Sequence, residues 1–183
     1  MFGINGLLYL PNYLTQAEEN QLTKLINKQK WDNTLKRRVQ HYGYRYDYKA
    51  RKVTPEMYLG KLPTWLNKIA TQLVEDGLCE LVSDQVIINE YQPSQGISPH
   101  IYCEKCFGPR IFSISLGSQV VMEFTHTGKE KKEIPLESRS LIMLYGDARW
   151  TWKHGIPSRL KDKGVVRGLR ISLTFRNVEE FFS

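Results

Sequence analysis

The run Arg170-Ile171-Ser172-Leu173-Thr174-Phe175-Arg176 alternates polar and apolar side chains without a break. Such alternation marks a strand with one face on an apolar core. The strand is read over 169–175, and its continuation to Arg176 puts Arg170, Ser172, Thr174 and Arg176 on one face and Ile171, Leu173 and Phe175 on the other. Two arginines and two hydroxyls on the inner face of a small barrel are costly without an anion. A dicarboxylate answers that cost, because each guanidinium can hold a carboxylate through two parallel hydrogen bonds. The spacing alone also fits a sheet whose polar face is solvated.

Outward from this run, segments 86–91, 110–116, 119–124 and 140–145 also read as strands, with Gly117-Ser118 as a tight turn between two of them. The first half is different. Thr15-Gln16-Ala17-Glu18 is a capping-box pattern, with Leu22, Leu25 and Ile26 at helical spacing behind it, so a helix is expected over about 16–29. Pro63 suits the first turn of a second helix, whose stripe of Trp65, Leu66, Ile69, Leu73 and Val74 ends near Gly77. The fold class expected is α+β, mainly β: a two-sheet jelly roll with supporting N-terminal helices.

A chain of 183 residues fits one domain over 1–183 with a proper core. No apolar run reaches bilayer length and the amino terminus lacks a secretory pattern, so no membrane partner and a cytoplasmic location are expected. A net charge of +7 favours polyanionic partners, or simply marks a basic surface. Three cysteines, Cys79, Cys103 and Cys106, argue against a disulfide framework. Cys103-Glu104-Lys105-Cys106 is a lone CxxC without two further zinc ligands at suitable spacing, and is expected to hold ordinary thiols.

Four pieces follow one another along the chain: Asn89-Glu90-Tyr91, His100-Ile101-Tyr102, His154-Gly155-Ile156 and the arginine strand. In this order they resemble the AlkB-like family of Fe(II) and 2-oxoglutarate dependent dioxygenases, over most of the chain from Leu8 to Val178. The resemblance implies a double-stranded β-helix and a metal held by His-Xaa-Asp plus a distant His, the facial arrangement that leaves positions open for oxygen chemistry. It implies that His100 and His154 bind the metal and that Arg170, Arg176, Asn89 and Tyr91 bind the cosubstrate. An amide and a phenol suit that task because both donate hydrogen bonds.

The departure is Tyr102, which stands where the family has the metal-binding Asp. A phenol has a reference pKa of roughly 10, so forming the phenolate at pH 7 costs on the order of 4 kcal/mol before a metal helps. Tyr102 could swing out and leave two histidines, ligate as phenolate and favour Fe(III), or be replaced by Glu104; an altered sequence whose parent carried Asp is the fourth case.

The stretch Arg37-Arg38-Val39-Gln40-His41-Tyr42-Gly43-Tyr44-Arg45-Tyr46 interleaves cations and rings, as a lid over a base requires, or as an edge hairpin shows by default. The family has a substrate lid here. Arg38, Tyr42, Tyr44, Arg149 and Trp152 are the substrate-side candidates. The activity the resemblance implies is oxidative dealkylation of N-alkylated nucleobases in DNA or RNA, as in DNA repair or RNA modification, by a monomer using Fe(II), 2-oxoglutarate and O2. Two rivals stand beside it: an inactive nucleic-acid binder on the same scaffold, and a protein hydroxylase or demethylase.

Overall fold

The computed structural model describes residues 2–179. Its strands are β1 (Leu7–Leu10), β2 (Val39–Tyr42), β3 (Gln85–Tyr91), β4 (Ile97–His100), β5 (Ile111–Gly117), β6 (Val120–Thr125), β7 (Lys132–Leu136), β8 (Leu141–Leu144), β9 (Lys153–Ile156), β10 (Lys161–Asp162), β11 (Val165–Val166) and β12 (Arg170–Arg176). Its helices are α1 (Gln16–Asn27), α2 (Thr64–Glu75) and the short α3 (Gly146–Trp150), with a single 3-10 turn at Pro55–Met57. A six-stranded sheet runs β1-β8-β5-β12-β3-β2, and a four-stranded sheet runs β4-β9-β6-β7. All the pairings are antiparallel. This is the jelly roll with N-terminal helices that the alternation and the capping box predict.

The larger sheet is packed on both faces. Ile171, Leu173 and Phe175 of β12 join Val86 and Ile88 of β3 and Leu22, Ile26, Leu66 and Leu73 of the two helices in one apolar cluster. Burying each such side chain contributes roughly 1.5–3 kcal/mol, which fixes α1 and α2 on that face. The α1 capping box forms as read: Thr15 accepts from the Glu18 amide and Glu18 accepts from the Thr15 amide at 2.7 Å. A second cluster, with Met122, Phe124, Ile134, Leu136 and Trp152, fills the space between the two sheets. Because both faces of β12 are enclosed, its two arginines are 3% exposed.

Two glycines make turns that side chains would block. Gly117 ends β5 at φ +80. Gly43 follows β2 at φ +75, where an added Cβ would lie 1.8 Å from the Asp84 carbonyl oxygen. That close approach seats the start of the 43–59 segment against the end of the larger sheet. Among the described residues no helix is long and apolar enough to cross a membrane.

Candidate active site

A cavity of about 440 Å³ opens between the two sheets, lined by inward residues of β3 and β12 on one side and of β4 and β9 on the other. Register places the cavity face. Arg170 lies opposite Tyr91 and Ser172 opposite Asn89 across β12 and β3, so all four side chains share one surface. Arg176 is opposite Gln85, whose Oε1 accepts from its Nε at 2.8 Å. Arg170 donates through Nη2 to Ser115 Oγ at 2.9 Å. Among the described residues, Nε and Nη1 of Arg170 and Nη2 of Arg176 are buried without a hydrogen-bond partner. Burial lowers both arginine pKa values, and no carboxylate among the described residues offsets it. Unpaired buried donors of this kind call for an anion in the cavity. A dicarboxylate fits.

On the opposite wall His100 and His154 are cross-strand partners with ring centroids 4.4 Å apart. His100 Nδ1 lies 2.8 Å from the Ser98 carbonyl oxygen, which only accepts, so Nδ1 carries the proton and Nε2 keeps its lone pair. Both ring nitrogens of His154 are buried without a partner among the described residues. Burial pushes the His100 pKa down and the His154 pKa well below the ordinary value, with neighbouring cations adding to the effect. Two neutral imidazoles are therefore ready as metal ligands at pH 7. Tyr102 completes the cluster with its ring 4.4 Å from that of His154 and 5.5 Å from that of His100. Burial raises the phenol pKa against the opposing Arg176 charge, so the hydroxyl stays protonated. Among the described residues no third His, Cys, Asp or Glu joins the two histidines. The imidazole pair fits a metal; the third position offers a phenol and no carboxylate.

The depressed histidines give a pH dependence with a definite sign. His41, on β2, has its pKa lowered to about 4, chiefly through burial. In the unfolded chain all three take up protons near pH 6.5, whereas the folded chain resists. Stability is therefore full above that pH and is lost as pH falls toward the folded values. Melting temperature followed from pH 7.5 to 5 in chelator should decline from about 6.5 downward; a flat profile would contradict this electrostatic picture.

The substrate-side candidates are placed differently from the sequence expectation, and strand parity explains two of them. Across β2 and β3, Val39 opposes Asn89 and Tyr42 opposes Val86. Odd positions thus face the cavity and even ones the helices. Arg38 turns outward to a two-bond pair with Glu90 at 2.7 and 2.9 Å, and Tyr42 packs edge-on against Trp65 at 5.7 Å. Tyr44 sits against Tyr58, ring centroids 5.0 Å apart. Trp152 is 2% exposed within the inter-sheet cluster. None of these lines the cavity. The residues of this segment that do are Arg37, Tyr46, Tyr48 and Arg51. Arg37 and Tyr46 lie within the basic-aromatic run; the parity set by Asn89 picks out Arg37, whereas Tyr46 lies past the end of β2, where that parity no longer applies.

Arg149 also lies outside the cavity wall. It is 1% exposed and donates to four backbone carbonyls, those of Tyr102, Cys103, Phe107 and Gly108, at 3.0–3.2 Å. It holds the turn that carries Tyr102. The same turn corrects the cysteine expectation: Cys103 and Cys106 form a disulfide, their Cα atoms brought to 5.3 Å by the turn, within bridging distance. Cys79 is a free thiol. Both bridged sulfurs lie against the Arg51 carbonyl oxygen, at 3.3 and 3.5 Å.

Comparison with known proteins gives a consistent picture. Residues 6–176 match the model of the 2OG-Fe(II) oxygenase superfamily. The chain is 37% identical over 182 residues to an uncharacterized protein of Acanthamoeba polyphaga mimivirus, covering 96% of this chain and 86% of that one. It is 36% identical over 203 residues to the "Alkylated DNA repair protein ALKBH8 homolog" of Arabidopsis thaliana, covering 96% of this chain and 59% of the plant protein. Among solved structures, that titled "The structure of OsALKBH1" superposes with a TM-score of 0.74 at 18% identity, covering 94% of this chain and 96% of the other.

Proposed function

The chain belongs to the 2OG-Fe(II) oxygenase superfamily as an AlkB-like member, and from that premise we propose that its cavity carries out oxidative dealkylation of N-alkylated nucleobases in DNA or RNA, with a metal grip weakened by Tyr102. Fe(II) and 2-oxoglutarate are the family's cofactor and cosubstrate, and when bound they supply the oxidising chemistry together with O2. The observation that carries the reading is the set of buried, unpartnered guanidinium atoms facing two neutral imidazoles across one cavity.

Each residue then has a task. Arg170 and Arg176 hold the two ends of the dicarboxylate, and Asn89 and Tyr91 add neutral donors. His100 presents Nε2 because Ser98 fixes its other nitrogen. Phe107, whose ring lies 3.7 Å from the Arg176 guanidinium carbon, keeps that cation dry and oriented. Arg37 and Arg51 give the mouth a positive edge for phosphate, and Tyr46 and Tyr48 give it rings on which a base can stack. The plant relative's name, an alkylated DNA repair protein, agrees with such a substrate.

A second reading is a catalytically silent nucleic-acid binder. It is favoured by the protonated Tyr102 packed beside the two histidines. Incubation with Fe(II), 2-oxoglutarate, O2 and N-methylated single strands separates the two. Dealkylation requires succinate and formaldehyde in equal amounts, rising with added Fe(II). Tight binding of methylated strands with no succinate, even from a Tyr102→Asp variant, would establish the silent binder instead.

Arg170→Met provides a further check. Loss of its charge-assisted bonds should weaken 2-oxoglutarate binding by about 2–3 kcal/mol, roughly 30–150-fold. Melting temperature should hold or rise, because a buried cation without a counter-ion is replaced by an apolar side chain of similar length. A large drop in melting temperature with unchanged affinity would mean that Arg170 is structural.

A further inference from the structure

We propose that Arg37, in the segment covering the cavity, is a positioning residue that fixes which way the Asn89 amide faces and so makes the cosubstrate wall a wall of donors. The inference deepens the cosubstrate reading above and rests on it.

Arg37 Nε donates to Asn89 Oδ1 at 3.0 Å. A guanidinium has donors and no acceptor. The amide oxygen must therefore face Arg37, which leaves the NH2 group to the other side, where β12 pairs with β3 opposite to β2. With the amide reversed, a carbonyl oxygen would stand beside a bound carboxylate, two acceptors in contact. Asn89 is 8% exposed, so water cannot readily compensate.

The placement of Arg37 is itself fixed from both sides. The Lys36 carbonyl accepts from Gln95 Nε2 at 2.9 Å. Arg38 is tied to Glu90 by its side chain, and its carbonyl accepts from the Glu90 amide at 3.1 Å. With both neighbours pinned, alternation sends the Arg37 side chain inward. There its guanidinium carbon lies 5.6 Å from the Tyr48 ring centroid and 5.9 Å from that of Tyr91. One side chain thus joins the cover of the cavity, through Tyr48, to the cosubstrate wall, through Asn89 and Tyr91. Ordering of the cover and binding of the dicarboxylate become coupled events.

The test is a ligand-observed NMR titration of 2-oxoglutarate into the full chain in chelator, so that no metal enters the readout. Arg37→Met should weaken binding about 5–10-fold, the scale of one lost hydrogen bond plus an adverse contact. In an Asn89→Ala background the same change should alter affinity by less than about 2-fold, because the group it orients is gone. Arg37→Lys should restore most of the loss, since an ammonium also only donates. Asn89→Asp keeps a partner for Arg37 but removes the donor, and should weaken binding at least as much as Asn89→Ala. Equal losses from Arg37→Met in both backgrounds would overturn the proposal, leaving Arg37 a general cation; so would no loss in the unaltered background. Thermal melts of each variant exclude unfolding as the cause. An unaltered chain that does not bind 2-oxoglutarate at all would overturn the cosubstrate reading, and this inference with it.

Discussion

Tyr102→Asp is expected to raise the affinity of this chain for Fe(II) by at least about 100-fold, measured anaerobically by competition with a chelator of known strength. At pH 7 a phenol of ordinary pKa must give up on the order of 4 kcal/mol to become an anionic ligand. In this cavity burial raises the Tyr102 pKa further. An aspartate is ionised already, and it is short enough to reach a metal held between His100 and His154, whose rings are 4.4 Å apart. The comparison of 4 kcal/mol with the 1.4 kcal/mol of each tenfold change sets the scale; loss of tyrosine packing takes back part of it. Succinate production should rise in parallel. An affinity changed by less than tenfold would mean that the tyrosine already ligates or is bypassed.

Arg149→Met should be the most destabilising single change near the site. Four backbone carbonyls would lose their donor at once in a buried turn. Each unsatisfied buried acceptor costs about 1–3 kcal/mol, reduced where the turn relaxes or water enters, so a total of roughly 3–5 kcal/mol is expected. For a chain of this size that is a fall of the order of 10 °C in melting temperature. Arg149 has no carboxylate partner among the described residues, and burial lowers its pKa to about 10, which still leaves it charged at neutral pH. Its role is geometric. Arg149→Lys should recover little, because one ammonium cannot span the carbonyls of Tyr102, Cys103, Phe107 and Gly108. A melting temperature within 2–3 °C of the unaltered chain would show that the turn is held by its disulfide and by Phe107 packing instead.

The sequence was most readable where one strong local pattern coincides with burial. The alternation from Arg170 to Arg176 gave both the strand and its polar face, because both faces of β12 are enclosed and each residue type is tied to a side. The Thr15–Glu18 capping box gave the start of α1 because that pattern is local. Readability failed where a side chain's direction depends on a distant partner. Interleaved arginines and tyrosines in 37–46 do not reveal their parity; only the pairing of Val39 with Asn89 does, and it turns Arg37 inward and Arg38 and Tyr42 away. The strand Ile97–His100 was missed because it is four residues long, contains Pro99 and pairs with an irregular register. Arg149 carries no local sign that its guanidinium would be spent on carbonyls more than forty residues earlier in the chain. The disulfide was hidden by an odd cysteine count, which is a prior about compartment and not about geometry.

The central claim is a dioxygenase cavity that binds its dicarboxylate well and its metal poorly. It is tested most directly by the visible absorption band of the Fe(II)–2-oxoglutarate chelate, recorded anaerobically on the unaltered chain beside Tyr102→Asp. The expected result is a weak or absent band in the unaltered chain and a clear one in the variant. An equally strong band in both would contradict the role given to Tyr102, and no band in either would contradict the cosubstrate assignment itself.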